Sequence, residues 1–191
     1  ESTRLSSPAR EVFLNQSGGK IASIRLLDFS QTIKKDSPRI DSLDALSMPH
    51  AMATLFTEPS LAELGYGSYS KKEVGGQVVF EKLHGGVQIT KTYGPAEGDY
   101  FVNHEVSLKL PAGEKKDFGY LLVPVGGVGL VPNAEDPLRA WEAVSYQNDS
   151  LTRKKFEDIK EGSEILQGNT KWVAFGNRYF SNTIVNESSI N

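Results

Sequence analysis

Between residues 100 and 110 the chain alternates strictly. Tyr100, Val102, His104, Val106, Leu108 and Leu110 fall on one face, and Phe101, Asn103, Glu105, Ser107 and Lys109 on the other. A helix repeats its apolar positions every three to four residues, so this pattern predicts a half-buried antiparallel strand, ended by Pro111-Ala112-Gly113. Residues 77–83 and 87–93 flank His84-Gly85-Gly86 and read as a hairpin with a short glycine loop, and 94–99 turn the chain into the long strand. The start of the chain repeats the arrangement: a strand at 11–15, a turn at Ser17-Gly18-Gly19 and a returning strand at 20–29. Two adjacent glycines suit a turn that needs positive φ.

Further strands are predicted at 118–125, 143–146, 151–159, 171–175 and 178–185, with turns at 114–117, at 147–150 and at Gly176-Asn177. No stretch keeps helical periodicity for three turns. Short strands separated by turns indicate an all-β antiparallel sandwich or barrel, and 191 residues suit a single domain. Residues 30–76, with Pro38, Pro49 and Pro59, read as an irregular excursion holding a short helical turn near 61–64. Disorder is the plain alternative there.

Composition closes several functional routes. Lys and Arg total 21 against 24 Asp and Glu, a net charge of −3, and the one basic run, Arg153-Lys154-Lys155, meets Glu157 and Asp158 at once, so no nucleic-acid partner is expected. With no cysteine there is no disulfide, thiolate metal site or Cys nucleophile. The three histidines, His50, His84 and His104, have no metal-ligand spacing, and no metal or cofactor is expected. No apolar run is long enough to span a membrane, since the longest, 118–132, is broken by Gly126, Gly127 and Gly129. The opening Glu1-Ser2-Thr3 reads as a mature or trimmed start.

The remaining motifs are weak. Ser17-Gly18-Gly19-Lys20 faintly resembles a phosphate loop but leads into a strand, so a structural turn is the better reading. Gly126-Gly127-Val128-Gly129 fails the dinucleotide pattern because Pro132 follows. Glu97, Asp99, Glu105 and Asp117 offer carboxylates for acid–base work, but no spacing forces two of them into one cleft. His104, on the alternating apolar face, is the one candidate base, and a satisfied core histidine is the simpler reading; His84, at a hairpin tip, is expected in solvent. Asn15, Asn148 and Asn186 begin glycosylation sequons that matter only in a eukaryotic secretory protein. Trp141, Tyr146, Trp172, Phe175, Tyr179 and Phe180 are either an aromatic ligand platform or core anchors; core is favoured, with Trp172 as the anchor.

Three segments carry a family resemblance. Residues 171–180, Lys-Trp-Val-Ala-Phe-Gly-Asn-Arg-Tyr-Phe, resemble a segment of the large periplasmic domain of YidC membrane protein insertases from Gram-negative bacteria. Residues 12–23, with Gly18-Gly19 at the turn, resemble that family's first strand, turn and returning strand. Lys91-Thr92-Tyr93, followed by residues 98–103, resembles its central hairpin and long strand. The resemblance implies a β-supersandwich related to galactose-mutarotase and carbohydrate-binding folds. It also implies a periplasmic location and a parent protein anchored in the inner membrane, with more of the pattern expected beyond Asn191. The insertase groove of the family lies in its membrane core, so no catalytic residue carries over. The expected role is a non-catalytic, monomeric interaction domain for Sec-translocon components or nascent membrane proteins. A sugar-binding or mutarotase-like enzyme on the same architecture is the alternative.

Overall fold

The computed structural model describes residues 3–43, 51–113, 120–123, 141–155, 158, 169–177 and 179–187. Strands β1 (Thr3–Ser6), β2 (Arg10–Asn15), β3 (Lys20–Ser30) and β4 (Arg39–Asp41) form one antiparallel sheet in that order. Strand β5 (Ala53–Phe56) pairs with β10 (Tyr120–Val123), and a 3-10 helix (Pro59–Gly65) follows β5. A second antiparallel sheet runs β6 (Ser70–Val74), β7 (Gln77–His84), β8 (Val87–Pro95) and β9 (Val102–Lys109). The third contains β11 (Glu142–Gln147), β12 (Ser150–Lys155), β13 (Thr170–Gly176) and β14 (Ser181–Val185), ordered β12-β11-β13-β14. The chain is an all-β antiparallel sandwich, as its alternation predicts.

One core joins the first two sheets. Val12, Leu14 and Ile21 meet Val78, Phe80, Val87, Ile89 and Tyr93, and Leu61 and Leu64 of the 3-10 helix complete the same cluster. Within the described part of 30–76, β4, β5, the 3-10 helix and β6 are regular, and Tyr69 is 1% exposed. The helical turn expected near 61–64 is this 3-10 helix.

The long alternating strand is shorter than its pattern. Val102, His104, Val106 and Leu108 face inward and are partly buried, while Asn103, Glu105, Ser107 and Lys109 are exposed. Tyr100 and Phe101 stand outside the strand, 50% and 62% exposed. Gly98, at φ 90°, starts a turn that closes through Phe101 N–H to Gly98 O, so pairing begins only afterwards. His84 corrects its expectation: it pairs with Val87 as the last rung of β7–β8 and is partly buried, leaving Gly85 and Gly86, at φ 58° and 78°, as the two-residue turn.

The aromatic group divides into pairs. Trp141 is 1% exposed and packs edge-on to Phe175 at 5.3 Å, whereas Trp172 is only partly buried and stacks on Tyr146 at 6.1 Å. Phe180 meets Phe29 edge-on, and Tyr179 is 65% exposed in the β13–β14 turn. Trp172 is therefore not the core anchor; Trp141 has that environment. The strand predicted at 118–125 is seen as β10, and the glycines at 126–129 lie outside the described residues.

Trp141→Ala is expected to cost about 3–5 kcal/mol, the range for a fully buried aromatic, and Trp172→Ala about 1–2 kcal/mol. Urea midpoints at unchanged slope measure both, and the opposite order would return Trp172 to the core.

A buried lysine cluster and a cleft at the turn end

The β2–β3 turn rests on the middle of β8. Gly18 and Gly19 hold φ 80° and 53°, and a Cβ on Gly19 would sit 3.1 Å from Phe80 Cβ. Their carbonyls point inward. Lys91 Nζ donates to Gly18 O at 2.8 Å and Tyr93 Oη to Gly19 O at 2.8 Å. The turn's amides are equally committed: Ser17 N donates to Asn15 Oδ1, Gly18 N to Gly67 O and Gly19 N to Gln16 O. With those donors turned to the protein's own acceptors, no anion cradle remains. The phosphate-loop resemblance is a structural turn, and Asn15 is a turn-forming side chain.

Lys91 is fully buried, on the inward face of β8 with Val87, Ile89 and Tyr93. Its ammonium lies 5.5 Å from the centre of the Tyr69 ring, and Tyr69 Oη donates to Leu64 O. Burial, helped by the nearby Lys20 charge, lowers Lys91 to about 8. Burial also raises Tyr93 and Tyr69, so both hydroxyls stay protonated and donate. A lysine shifted in this way is a common mark of catalysis. Here its proton is held by a backbone carbonyl and no solvent reaches it, so the group acts as a staple.

His104 faces the same cluster. Its ring lies 4.4 Å from that of Tyr93, its cross-strand partner, and its Nε2 is buried without a hydrogen bond. Burial, then the Lys91 charge, pushes the imidazole down to about 4. The candidate carboxylates do not join it. Glu105 lies exposed on the opposite face of β9, Glu97 and Asp99 are exposed in the β8–β9 turn, and Asp117 lies outside the described residues. His104 is thus a neutral core ring. Among the described residues no cluster of His, Asp and Glu could hold a metal ion.

A second feature, which sequence reasoning missed, lies where three turns converge. The β1–β2, β6–β7 and β8–β9 turns enclose a cleft of about 290 Å³, lined in part by Leu5, Ser7, Gly76, Pro95 and Asp99. Arg10 forms part of its wall and is 4% exposed, sharing the inward face of β2 with Val12 and Leu14. Arg10 Nη2 donates to Phe101 O, while its Nε and Nη1 are buried with no acceptor. Ser7 Oγ donates to Asp99 O at 2.6 Å and accepts from Arg10 N at 3.2 Å, tying the two walls together. A charged residue on the alternating apolar face was the available sequence signal, for Arg10 as for Lys91.

The fold defines a β-sandwich domain whose core-facing lysine and tyrosines hold a turn in place. The family model of the YidC periplasmic domain matches residues 3–190, essentially the whole chain. The chain belongs to that family and is a periplasmic domain related to membrane protein insertases. No curated protein matches it. Among the described residues no helix is long and apolar enough to cross a membrane.

Two measurements test the cluster. Gly19→Val forces a β-branched residue into positive φ against Phe80, and a loss of about 1–3 kcal/mol is expected from chemical denaturation. His104 titrates lower in the fold, at about 4, than its unperturbed 6.5, so the native state binds fewer protons between those values. Its contribution is present above pH 6.5 and is lost as the pH falls toward 4, up to roughly 3 kcal/mol. His104→Phe should flatten that part of the stability–pH curve, and an unchanged curve would place the imidazole in water.

Proposed function

We propose that this chain is a non-catalytic interaction domain of a membrane protein insertase, a single folded unit of a larger protein that crosses the bacterial inner membrane several times. It offers its periplasmic surface to Sec-translocon components or to nascent inner-membrane proteins, and the domain itself is monomeric. Family membership across residues 3–190 is the observation that carries this reading. The chemistry of the interior supports it. A mutarotase-like site needs an accessible histidine paired with a carboxylate, whereas the His104 ring packs at a tilt against Tyr93 with Lys91 as the charge acting on it. Apolar side chains exposed on separate parts of the surface, Leu83, Phe101, Leu151 and Tyr179, supply material for contacts.

The test is photocrosslinking in the full-length parent protein, with a photoreactive residue at 83, 101, 151 or 179 during synthesis of an inner-membrane protein. Crosslinks to a translocon subunit or to the nascent chain are expected from at least one position. An active insertase that crosslinks from none of them would overturn the reading. Polarimetry of glucose mutarotation should show the buffer rate, and acceleration abolished by His104→Ala would promote the enzyme.

A further inference from the structure

The β3–β4 hairpin ends in an arm whose apex is bare. Residues 32–36, Thr-Ile-Lys-Lys-Asp, are all exposed, and Ile33 is 106% exposed, so no neighbour screens any part of its side chain. Folding an apolar side chain back over the base of its own loop removes area from water, and a loose loop takes that gain. This arm is braced against it. Gln31 N donates to Pro38 O at 2.9 Å, Ser37 N to Lys34 O at 3.0 Å and Thr32 N to Ser37 Oγ at 2.8 Å. Arg39 Nη1 donates to Ser30 Oγ at 3.1 Å and closes the base. These bonds fix the backbone on both sides of Ile33 and keep its side chain at the apex.

The residues around the isoleucine are cationic, then aromatic. Lys34 and Lys35 follow it directly, both exposed, and neither forms an ion pair among the described residues. Residues 31–39 carry Lys34, Lys35 and Arg39 against Asp36 alone, so the arm is positive. At its base Phe29 is exposed and meets Phe180 edge-on at 5.3 Å, and Tyr179, in the same turn as Phe180, is exposed too. Asp28 turns instead to the β8–β9 turn, where it accepts the Tyr100 hydroxyl at 2.7 Å, and the acids Glu97 and Asp99 belong to that turn. An anionic bilayer answers each part of the arm: acyl chains for the aliphatic apex, phosphates for the ammonium groups and the headgroup layer for the rings. A protein partner would have to place one aliphatic pocket and an acid for each lysine side by side, whereas lipid supplies both anywhere on its surface.

We infer that the β3–β4 arm docks on an anionic phospholipid bilayer, with Ile33 entering the acyl boundary while Lys34 and Lys35 meet the phosphates. This goes beyond the interaction-domain reading and rests on it only for a bilayer lying within reach. A parent protein anchored in that bilayer makes the contact intramolecular, so a weak affinity is enough to orient the domain.

The experiment is flotation of the whole chain with phosphatidylglycerol vesicles at low salt, with phosphatidylcholine vesicles as the neutral comparison. One aliphatic side chain and two lysines bind more weakly than a myristoyl chain, so half-saturation is expected at about 1 mM phosphatidylglycerol. Ile33→Ser should weaken the binding about tenfold. Lys34→Gln and Lys35→Gln should each weaken it about fivefold. All three residues are exposed, so the melting temperatures of these variants should match the wild type. The chain has no cysteine, so Ile33→Cys gives a single site for an environment-sensitive dye. Its emission should shift to the blue on phosphatidylglycerol vesicles, and the same dye at Leu83→Cys should not respond. No flotation at about 10 mM phosphatidylglycerol, equal flotation with phosphatidylcholine, an Ile33→Ser variant that floats as well as the wild type, or an equal dye response at both positions would each overturn the inference. So would a photoreactive residue at position 33 of the full-length parent that crosslinks to a polypeptide rather than to lipid. Failure here with crosslinks at positions 83, 101, 151 or 179 would remove only the bilayer contact. Flotation with no crosslink from those four would keep the arm on the bilayer and remove the protein partner.

Discussion

The carbonyls of Gly18 and Gly19 are received by Lys91 and Tyr93, and much of the sandwich is arranged around those two hydrogen bonds. They fix the end of the first sheet against the middle of the second. The same turn is bridged from its other side, where Gly18 N donates to Gly67 O and Tyr69 N to Gln16 O. Tyr69 then closes over the Lys91 ammonium and reaches back to Leu64, which anchors the 3-10 helix. One turn thereby locks β2–β3, the 51–69 segment and β7–β8 together. Only glycine serves at position 19, since the backbone is left-handed and Phe80 occupies the space a Cβ needs.

A charged donor in this place has a definite cost. Removing an ammonium from water is unfavourable, which is why Lys91 falls to about 8, and a single carbonyl bond with one aromatic face offsets only part of that. Lysine nevertheless brings reach: its four-carbon stem lies among Val87, Ile89 and Tyr93 while its head meets a carbonyl on the opposing sheet. The same charge bears on His104, and a neutral imidazole suits the neighbouring ammonium.

The sequence pattern reveals the long strands because their alternation is a direct image of a pleated sheet with one buried face. That holds for β2, β8 and β9. It conceals β1, β4, β5 and β6, which are three to five residues long. In β6, Ser-Lys-Lys-Glu-Val, four of five residues are polar, and only pairing with β7 makes it a strand. Trp172 misleads for a related reason. An aromatic-rich run says that large rings are present, but whether a ring is covered depends on the next layer. Trp141, flanked by little that looks like core, is the one that is covered.

Arg10 and Lys91 pose the same puzzle in one dimension: each is a cation on the apolar face of an alternating strand, and each is almost wholly buried. What separates them lies far away in the chain. Lys91 finds its acceptor 73 residues upstream, where a glycine turn exposes a carbonyl to it, and its burial serves the fold. Arg10 finds an acceptor for Nη2 alone, 91 residues downstream, at the end of the sandwich where turns rather than sheets surround it. Sheets supply closely spaced carbonyls and can absorb a donor, while a ring of turns leaves space that no backbone fills. A buried cation among strands is therefore fully used by the fold, whereas among converging turns part of the Arg10 guanidinium is left without an acceptor.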